Sequence, residues 1–160
     1  MQLRMSSVIA IFSGALIAQA GSLPSKAGAE SNQAGRLLKE IKGDAEQIRA
    51  SASNLDRLTK TPDAKWMDYD QQWNTFKPAQ ECIDLATQRL DGMKTSLSPA
   101  ERQALDQVKR DVETIASATH DLWSRLGQSK VDLTLRGLSA DARDLGKAAR
   151  DLIKTTASTS

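Results

Sequence analysis

The chain has very little of the chemistry from which metal, haem and disulfide sites are built. It contains one Cys, Cys82, and one His, His120. A zinc finger, a disulfide framework and a covalently attached haem each require more of these residues. A di-iron carboxylate site requires two Glu-x-x-His motifs, so the single His excludes it. The inventory predicts a protein without a metal site or a cofactor.

An excess of charge of one sign is also lacking. Lys and Arg number 22 against 20 Asp and Glu, and the formal net charge is +2. The basic residues are scattered along the sequence, whereas nucleic-acid-binding proteins concentrate them on one surface. We therefore expect no nucleic-acid partner. The chain also has no glycine-rich phosphate loop and no paired-carboxylate motif, which argues against an enzyme.

The N-terminal segment has the pattern of a secretory signal peptide. Arg4 precedes an apolar stretch from Ser6 to Ala18, and the small-residue triplet Ala18-Gln19-Ala20 follows. The apolar stretch is shorter than the roughly 20 residues that cross a bilayer, which argues against a transmembrane anchor. We expect an exported protein, periplasmic or secreted, with no stable membrane insertion after cleavage.

The pattern predicts a signal peptide over residues 1–20 and a flexible leader over 21–30. Cleavage after Ala20 is the first expectation, and a second small triplet, Ala27-Gly28-Ala29, leaves cleavage after Ala29 as an alternative. No Cys follows the apolar stretch, so lipid attachment is not expected.

Apolar residues in the rest of the chain recur every three or four positions, and no segment alternates with a period of two. This pattern predicts an almost entirely helical protein. The predicted core positions are Leu38, Ile41, Ala45, Ile48, Ala52 and Leu55 in helix 1; Trp66, Tyr69, Trp73, Phe76, Ala79, Ile83, Ala86, Leu90, Met93 and Leu97 along helix 2; Leu105, Val108, Val112, Ile115, Thr119, Leu122 and Leu126 in helix 3; and Val131, Leu135, Leu138, Ala142, Leu145, Ala149 and Leu152 in helix 4.

Local signals place the helix ends. Helix 1 stops before Pro62, and helix 2 begins near Asp63. Ser98, Pro99 and Glu101 form a complete helix-start signal, because Ser98 can cap the helix and Glu101 can reach back to its amide. Gly127 suits the end of helix 3, and Ser129 and Asp132 indicate the start of helix 4. The Ser/Thr-rich end is expected to fray from Thr155.

Four helices of similar length joined by short connections favour an all-α, up-down-up-down four-helix bundle over residues 31–156, with a frayed tail over 157–160. Helix 4 repeats the tetrad Ala-Arg-Asp-Leu at residues 142–145 and 149–152, an offset of seven typical of coiled coils. The alternative is a pair of long helical hairpins that form a dimeric bundle. We expect a monomer or a weak dimer.

Aromatic residues make up only 4% of the chain, yet the five that follow the predicted signal peptide concentrate at one end of the predicted bundle. One interpretation is an ordinary core built with large rings. The other is a pocket for a small apolar ligand or a protein partner, because apolar walls with a few polar groups are typical of such sites. The residues of this predicted site are Trp66, Tyr69, Trp73, Phe76, His120 and Trp123.

The remaining reactive groups suggest no catalysis. His120 follows core position Thr119 by one place, so we expect a surface histidine. Cys82 is expected to be a small, semi-buried side chain, with a cross-link between two chains as the alternative. About six residues, or 9 Å, separate the levels of Cys82 and His120 on antiparallel helices, which is too far for a hydrogen bond.

Two resemblances supply further functional expectations. In size and topology the predicted bundle is similar to the exported cytochrome b562 family, which implies a haem carrier. That family takes Met from its first helix and His from its last, whereas helices 1 and 4 contain neither here. The segment Leu97-Ser98-Pro99-Ala100-Glu101 resembles the Leu-Thr-x-x-Gln signature of Spy/CpxP-type periplasmic proteins, with Ser for Thr and Glu for Gln. That resemblance implies a chaperone that binds envelope proteins.

The sequence therefore predicts an exported, non-enzymatic binding or structural interaction module. A periplasmic chaperone is the alternative, and a carrier of a small apolar ligand or haem is the third hypothesis.

Overall fold

A computed structural model describes residues 26–128 and 135–158, and these residues form four α-helices with no strand. The helices are α1 (Lys26–Leu58), α2 (Trp66–Gly92), α3 (Pro99–Gln128) and α4 (Leu135–Ala157). The predicted signal peptide, the start of helix 4 at Ser129 and Asp132, and core position Val131 lie outside the described residues. Among the helices described, none combines the length and apolarity that a bilayer span requires.

The four helices form an up-down-up-down bundle, as the sequence predicts. α1 packs against α2 and α4, and α3 packs against the same two helices. The diagonal pairs, α1 with α3 and α2 with α4, make no comparable contact within the described ranges. One chain therefore covers its own apolar faces, and the alternative of hairpins from two chains is not needed to build the bundle.

A single apolar cluster fills the centre of the bundle. Every predicted core position of α1 and α3 is buried, and so are Leu138, Ala142, Leu145, Ala149 and Leu152 of α4. Three predicted core positions, Trp66 and Trp73 of α2 and Met93 just after its end, are half-buried and pack against the core from its edge. The side chain of Leu135 lies outside the described part of the structure. The periodicity thus identifies the core almost completely.

The start of α3 is the one predicted in the sequence. The Glu101 N–H donates to Ser98 Oγ at 3.3 Å, and the Ser98 N–H donates to Glu101 Oε2 at 2.8 Å. This reciprocal pair satisfies two amides that the first turn of the helix leaves without partners. The capping interaction accounts for the Ser and Glu of the segment that resembles the chaperone signature.

Three predicted boundaries differ from the structure. α2 begins at Trp66 instead of Asp63, because the Asp68 carboxylate accepts a hydrogen bond from the Lys65 N–H at 2.8 Å and fixes the first turn there. α1 begins at Lys26, so residues 26–30 of the predicted leader are helical.

The prediction of fraying from Thr155 was also wrong. α4 continues to Ala157, and Thr156 is fully buried. Thr155 Oγ1 donates to Asp111 on α3 at 2.6 Å, and Thr156 Oγ1 donates to the Leu152 carbonyl at 3.0 Å. The Thr155 hydroxyl therefore ties the last turn to α3, whereas the Thr156 hydroxyl is paired within α4. Composition alone does not reveal either interaction.

Candidate functional site

The predicted aromatic site separates into a packed group and two peripheral residues. Trp73 lies between Phe76, with ring centroids 4.8 Å apart in an edge-to-face arrangement, and Trp123, stacked at 4.0 Å. Phe76 is fully buried and Tyr69 nearly so, whereas Trp123 is 45% exposed. The ring of Trp73 therefore contacts the rings of both Phe76 and Trp123.

The two other predicted site residues lie at the edge of this group. Trp66 is half-buried and packs against the core. His120 is exposed on α3, as its place beside Thr119 predicts. None of the clefts described below is lined by an aromatic side chain.

A different site lies between α1 and α4. A cleft of about 470 Å³ has its floor on Ala52, Ala142 and Gly146, and a Cβ placed on Gly146 would lie 3.6 Å from the Ala52 Cβ. Because these residues are small, no long side chain fills the space above them. The cleft is polar at its walls, where it is lined by Arg49 and Asp56 of α1 and by Arg143 and Arg150 of α4.

One end of the cleft is organised by Asp56. Its carboxylate accepts hydrogen bonds from Ser139 Oγ at 2.6 Å and from Lys60 Nζ at 2.5 Å, and Arg143 Nε lies 3.8 Å away. The hydrogen bonds from Lys60 and Ser139 favour the ionised form and hold the pKa of Asp56 below its usual value. The positive charge of Arg143 is therefore partly offset by Asp56.

The other end of the cleft carries positive charge without a counter-charge. Within the part of the chain that the structure describes, Arg49 and Arg150 make no hydrogen bond or ion pair, and both are exposed. A guanidinium presents several N–H donors in a planar fork that matches the oxygens of a carboxylate or a phosphate. This end of the cleft is therefore suited to an anionic group.

The opposite flank of α4 has the reverse character. A smaller cleft of about 170 Å³ between α3 and α4 is lined by Asp121, Asp141 and Asp144. Arg125 of α3 forms an ion pair with Asp141, which leaves a net negative surface. The repeated Ala-Arg-Asp-Leu tetrad explains part of this division, since it places Arg143 and Arg150 toward α1 and Asp144 toward α3.

The single cysteine lies on the surface of α2. Cys82 is exposed, so the prediction that it is semi-buried was wrong. It precedes the buried Ile83 by one residue, a rotation of about 100° around the helix that carries it away from the core. In residues 26–128 and 135–158, no three His, Cys, Asp or Glu side chains come close enough together to hold a metal ion.

Comparisons with known protein families, curated proteins and solved structures gave no significant match to this chain. The candidate site is therefore defined by geometry alone.

The arginine cleft was not predicted because the basic residues are scattered along the sequence. Arg49 is far in sequence from Arg143 and Arg150, and only the adjacency of α1 and α4 brings them to one cleft. The one local signal was the tetrad repeat, which predicts that Arg143 and Arg150 share a side of α4.

Proposed function

We propose that this protein is an exported, non-enzymatic module that binds an anionic ligand or partner in the cleft between α1 and α4. The observation that carries the proposal is the pair Arg49 and Arg150, which face one cleft without a counter-charge in the described structure. Two cations kept together without a partner repel each other, and an anion bound between them relieves that repulsion. The site is much smaller than the basic surface that nucleic-acid binding uses, so we keep the expectation of no nucleic-acid partner.

The absence of catalysis stays part of the proposal. A nucleophile must contact a base that is oriented by a third group. The exposed Cys82 and the exposed His120 lie on different helices, and the arginine cleft contains neither. The cleft offers hydrogen-bond donors and positive charge, which favour binding.

Export is supported by the N-terminal sequence, in which Arg4, the apolar stretch and Ala18-Gln19-Ala20 follow the order of a signal peptide. Intact-mass measurement of protein recovered from the periplasm or the medium tests this part of the proposal. We expect an N-terminus near Gly21. A chain that retains Met1 and stays in the cytoplasm would contradict export without affecting the proposed binding site.

Binding is tested with a labelled oligoglutamate peptide, followed by fluorescence anisotropy at low salt. We expect the double variant Arg49→Ala/Arg150→Ala to weaken binding about tenfold, because it removes two charge-assisted contacts at an exposed site. The affinity of the wild-type protein should also fall as salt is added.

The matched control is Arg36→Ala/Arg89→Ala, which removes the same charge from two exposed arginines outside the cleft. It should leave the affinity nearly unchanged. An equal loss in both double variants would reduce the interaction to net charge and contradict the proposed site.

The chaperone alternative has less support. Among the residues whose side chains the structure describes, the exposed large apolar ones are Met67 at 78%, Leu85 at 53% and Trp123 at 45%. Met67 and Leu85 are 18 residues apart on α2, about 27 Å along the helix, so they do not form the continuous apolar surface that binds unfolded chains.

The haem hypothesis predicts a Soret band that His120→Ala abolishes, and we expect the purified protein to be colourless.

A further inference from the structure

We infer that the occupant of the α1/α4 cleft is a helix of a partner protein that carries two acidic side chains seven residues apart. This inference rests on the proposed function and specifies the partner class for the same site. It follows from the spacing of the arginines, from their distribution over the two walls and from the shape of the cleft.

The spacing comes from the tetrad repeat. Arg143 and Arg150 occupy equivalent positions in Ala142-Arg143-Asp144-Leu145 and Ala149-Arg150-Asp151-Leu152, and both line the cleft. Seven residues advance a helix by two turns, about 10.5 Å. Two acidic residues at the same offset on a guest helix are separated by the same distance and lie on one face. A helix with two acidic side chains at this spacing can therefore contact both arginines at once.

The two ends of the cleft differ in charge. At one end Arg49 of α1 and Arg150 of α4 both line the cleft, so an acidic side chain there meets two guanidinium groups. At the other end the carboxylate of Asp56 lies 3.8 Å from Arg143 Nε and competes for it. The guest should therefore lose more affinity when Arg49 or Arg150 is removed than when Arg143 is removed.

The shape of the cleft suits a helix. Neighbouring helices leave a groove between them, and side chains of a third helix can enter it as a ridge. Here the floor consists of Ala52, Ala142 and Gly146, so the groove is open between its charged walls. An acidic helix can then lie along α4 with its carboxylates toward the arginines.

Two alanine-based helical peptides of about 20 residues provide the test, since chains of this length and composition form helix in water. Both contain two glutamates, separated by seven residues in one peptide and by five in the other. The composition and charge are identical, but the second spacing places the glutamates about 140° apart around the helix. We expect the seven-residue spacing to bind about threefold more tightly to the purified full-length protein, because only this spacing lets the second glutamate reach Arg143.

The variants locate the contacts. With the seven-spaced peptide, Arg49→Ala and Arg150→Ala should each weaken binding about fivefold, Arg143→Ala should weaken it less, and Arg36→Ala should leave it unchanged. All four arginines are exposed, so the variants should keep the melting temperature of the wild-type protein, which circular dichroism checks.

The outcomes separate this inference from the proposed function. Equal affinity for the two peptides, with sensitivity to Arg49 and Arg150 retained, would overturn the acidic helix and leave a general anion site. Tighter binding of pyrophosphate than of either peptide, lost in the same variants, would also overturn it in favour of a phosphate ligand. Binding that no arginine variant affects would contradict both proposals.

Discussion

Two helix interfaces of the bundle, the α1/α4 seam and the α2/α3 seam, differ in the size of the side chains between the helices. This difference changes how closely the helices approach each other. At the α1/α4 seam, Gly146 and Ala52 let the two backbones approach closely. Of the helix pairs in the described structure, α1 and α4 make the most extensive contact. At the α2/α3 seam, Trp73 and Trp123 stack between the helices, and the backbones contact least. Helix separation depends on the side chains at the contact. Small residues leave an open polar cleft outside the core, whereas large rings fill the space between their helices.

The two pairs of helices also differ in how their polar groups are paired. The hydroxyl of Ser139 joins α4 to α1 through Asp56. On α2 and α3, Thr87 and Thr119 each bury a hydroxyl oxygen for which the structure provides no hydrogen-bond partner. α2 and α3 thus contain both the largest rings and two energetically unfavourable buried hydroxyls, while polar groups between α1 and α4 are paired or reach solvent.

The substitution Trp73→Ala is expected to change the free energy of unfolding most. This substitution removes a ring that contacts both Phe76 and Trp123, and loss of such a side chain costs about 3 kcal/mol of unfolding free energy. Trp123→Ala is the control and should cost less, because that side chain is 45% exposed. Urea denaturation measures both. A loss for Trp73→Ala well below 1 kcal/mol, together with a tryptophan fluorescence response to apolar ligands, would favour the pocket interpretation of the aromatic end.

A smaller effect of opposite sign is expected from Thr119→Val. The substitution keeps the shape of the side chain and removes a buried hydroxyl without a partner, so stability should rise by about 1 kcal/mol. Thr156→Val is the matched control, because the Thr156 hydroxyl is buried but donates to the Leu152 carbonyl. Thermal unfolding that shows the same gain for both variants would mean that hydrogen bonding does not distinguish the two sites.

Alanine substitutions at two glycines, Gly43 outside the cleft and Gly146 in its floor, distinguish an effect on stability from an effect on binding. A Cβ at Gly43 would meet nothing within 4 Å, and a Cβ at Gly146 would make an ordinary contact with Ala52. Gly43→Ala and Gly146→Ala should therefore each stabilise the protein by about 0.5 to 1 kcal/mol through helix propensity. Only Gly146→Ala should also weaken oligoglutamate binding, because it raises the floor of the cleft. Destabilisation by Gly146→Ala would show that the α1/α4 seam is packed more tightly than described.

The smallest expected effect is on the loss of stability at acidic pH. The pKa of Asp56 is lowered by its hydrogen bonds with Lys60 and Ser139, so its contribution to stability is present above the unfolded value of about 3.8. That contribution is lost as pH falls below 3.8 through the lower pKa of the folded state. Ser139→Ala removes one of the hydrogen bonds and should reduce this acid sensitivity in thermal melts. An unchanged pH profile would contradict the role of Ser139.

The fold was largely predictable because it depends on local periodicity. The three-four spacing identifies the core positions of α1 and α3, and Ser98 and Glu101 locate the start of α3. The boundaries that were missed depend on particular hydrogen bonds, some local and some between helices. The hydrogen bond from Thr155 to Asp111, for example, orders a terminal turn whose composition suggests fraying.

The sites were less predictable for the same reason. The sequence indicates which end of the bundle holds the rings, but whether rings fill or border a space depends on the separation of α2 and α3. The arginine cleft depends on the register of α1 against α4, which brings Arg49 to the cleft that Arg150 lines. Only the offset of Arg143 and Arg150 on one helix can be seen in the sequence.

The most direct test of the binding site is a titration of the ¹⁵N-labelled protein with the seven-spaced acidic peptide, followed by amide chemical shifts. The account predicts that the largest changes occur along the α1/α4 cleft, at Arg49, Ser53, Gly146 and Arg150, and that the amides around Trp73 and Trp123 stay in place. Changes centred on Trp123 and His120, with none at Arg49 or Arg150, would contradict the account.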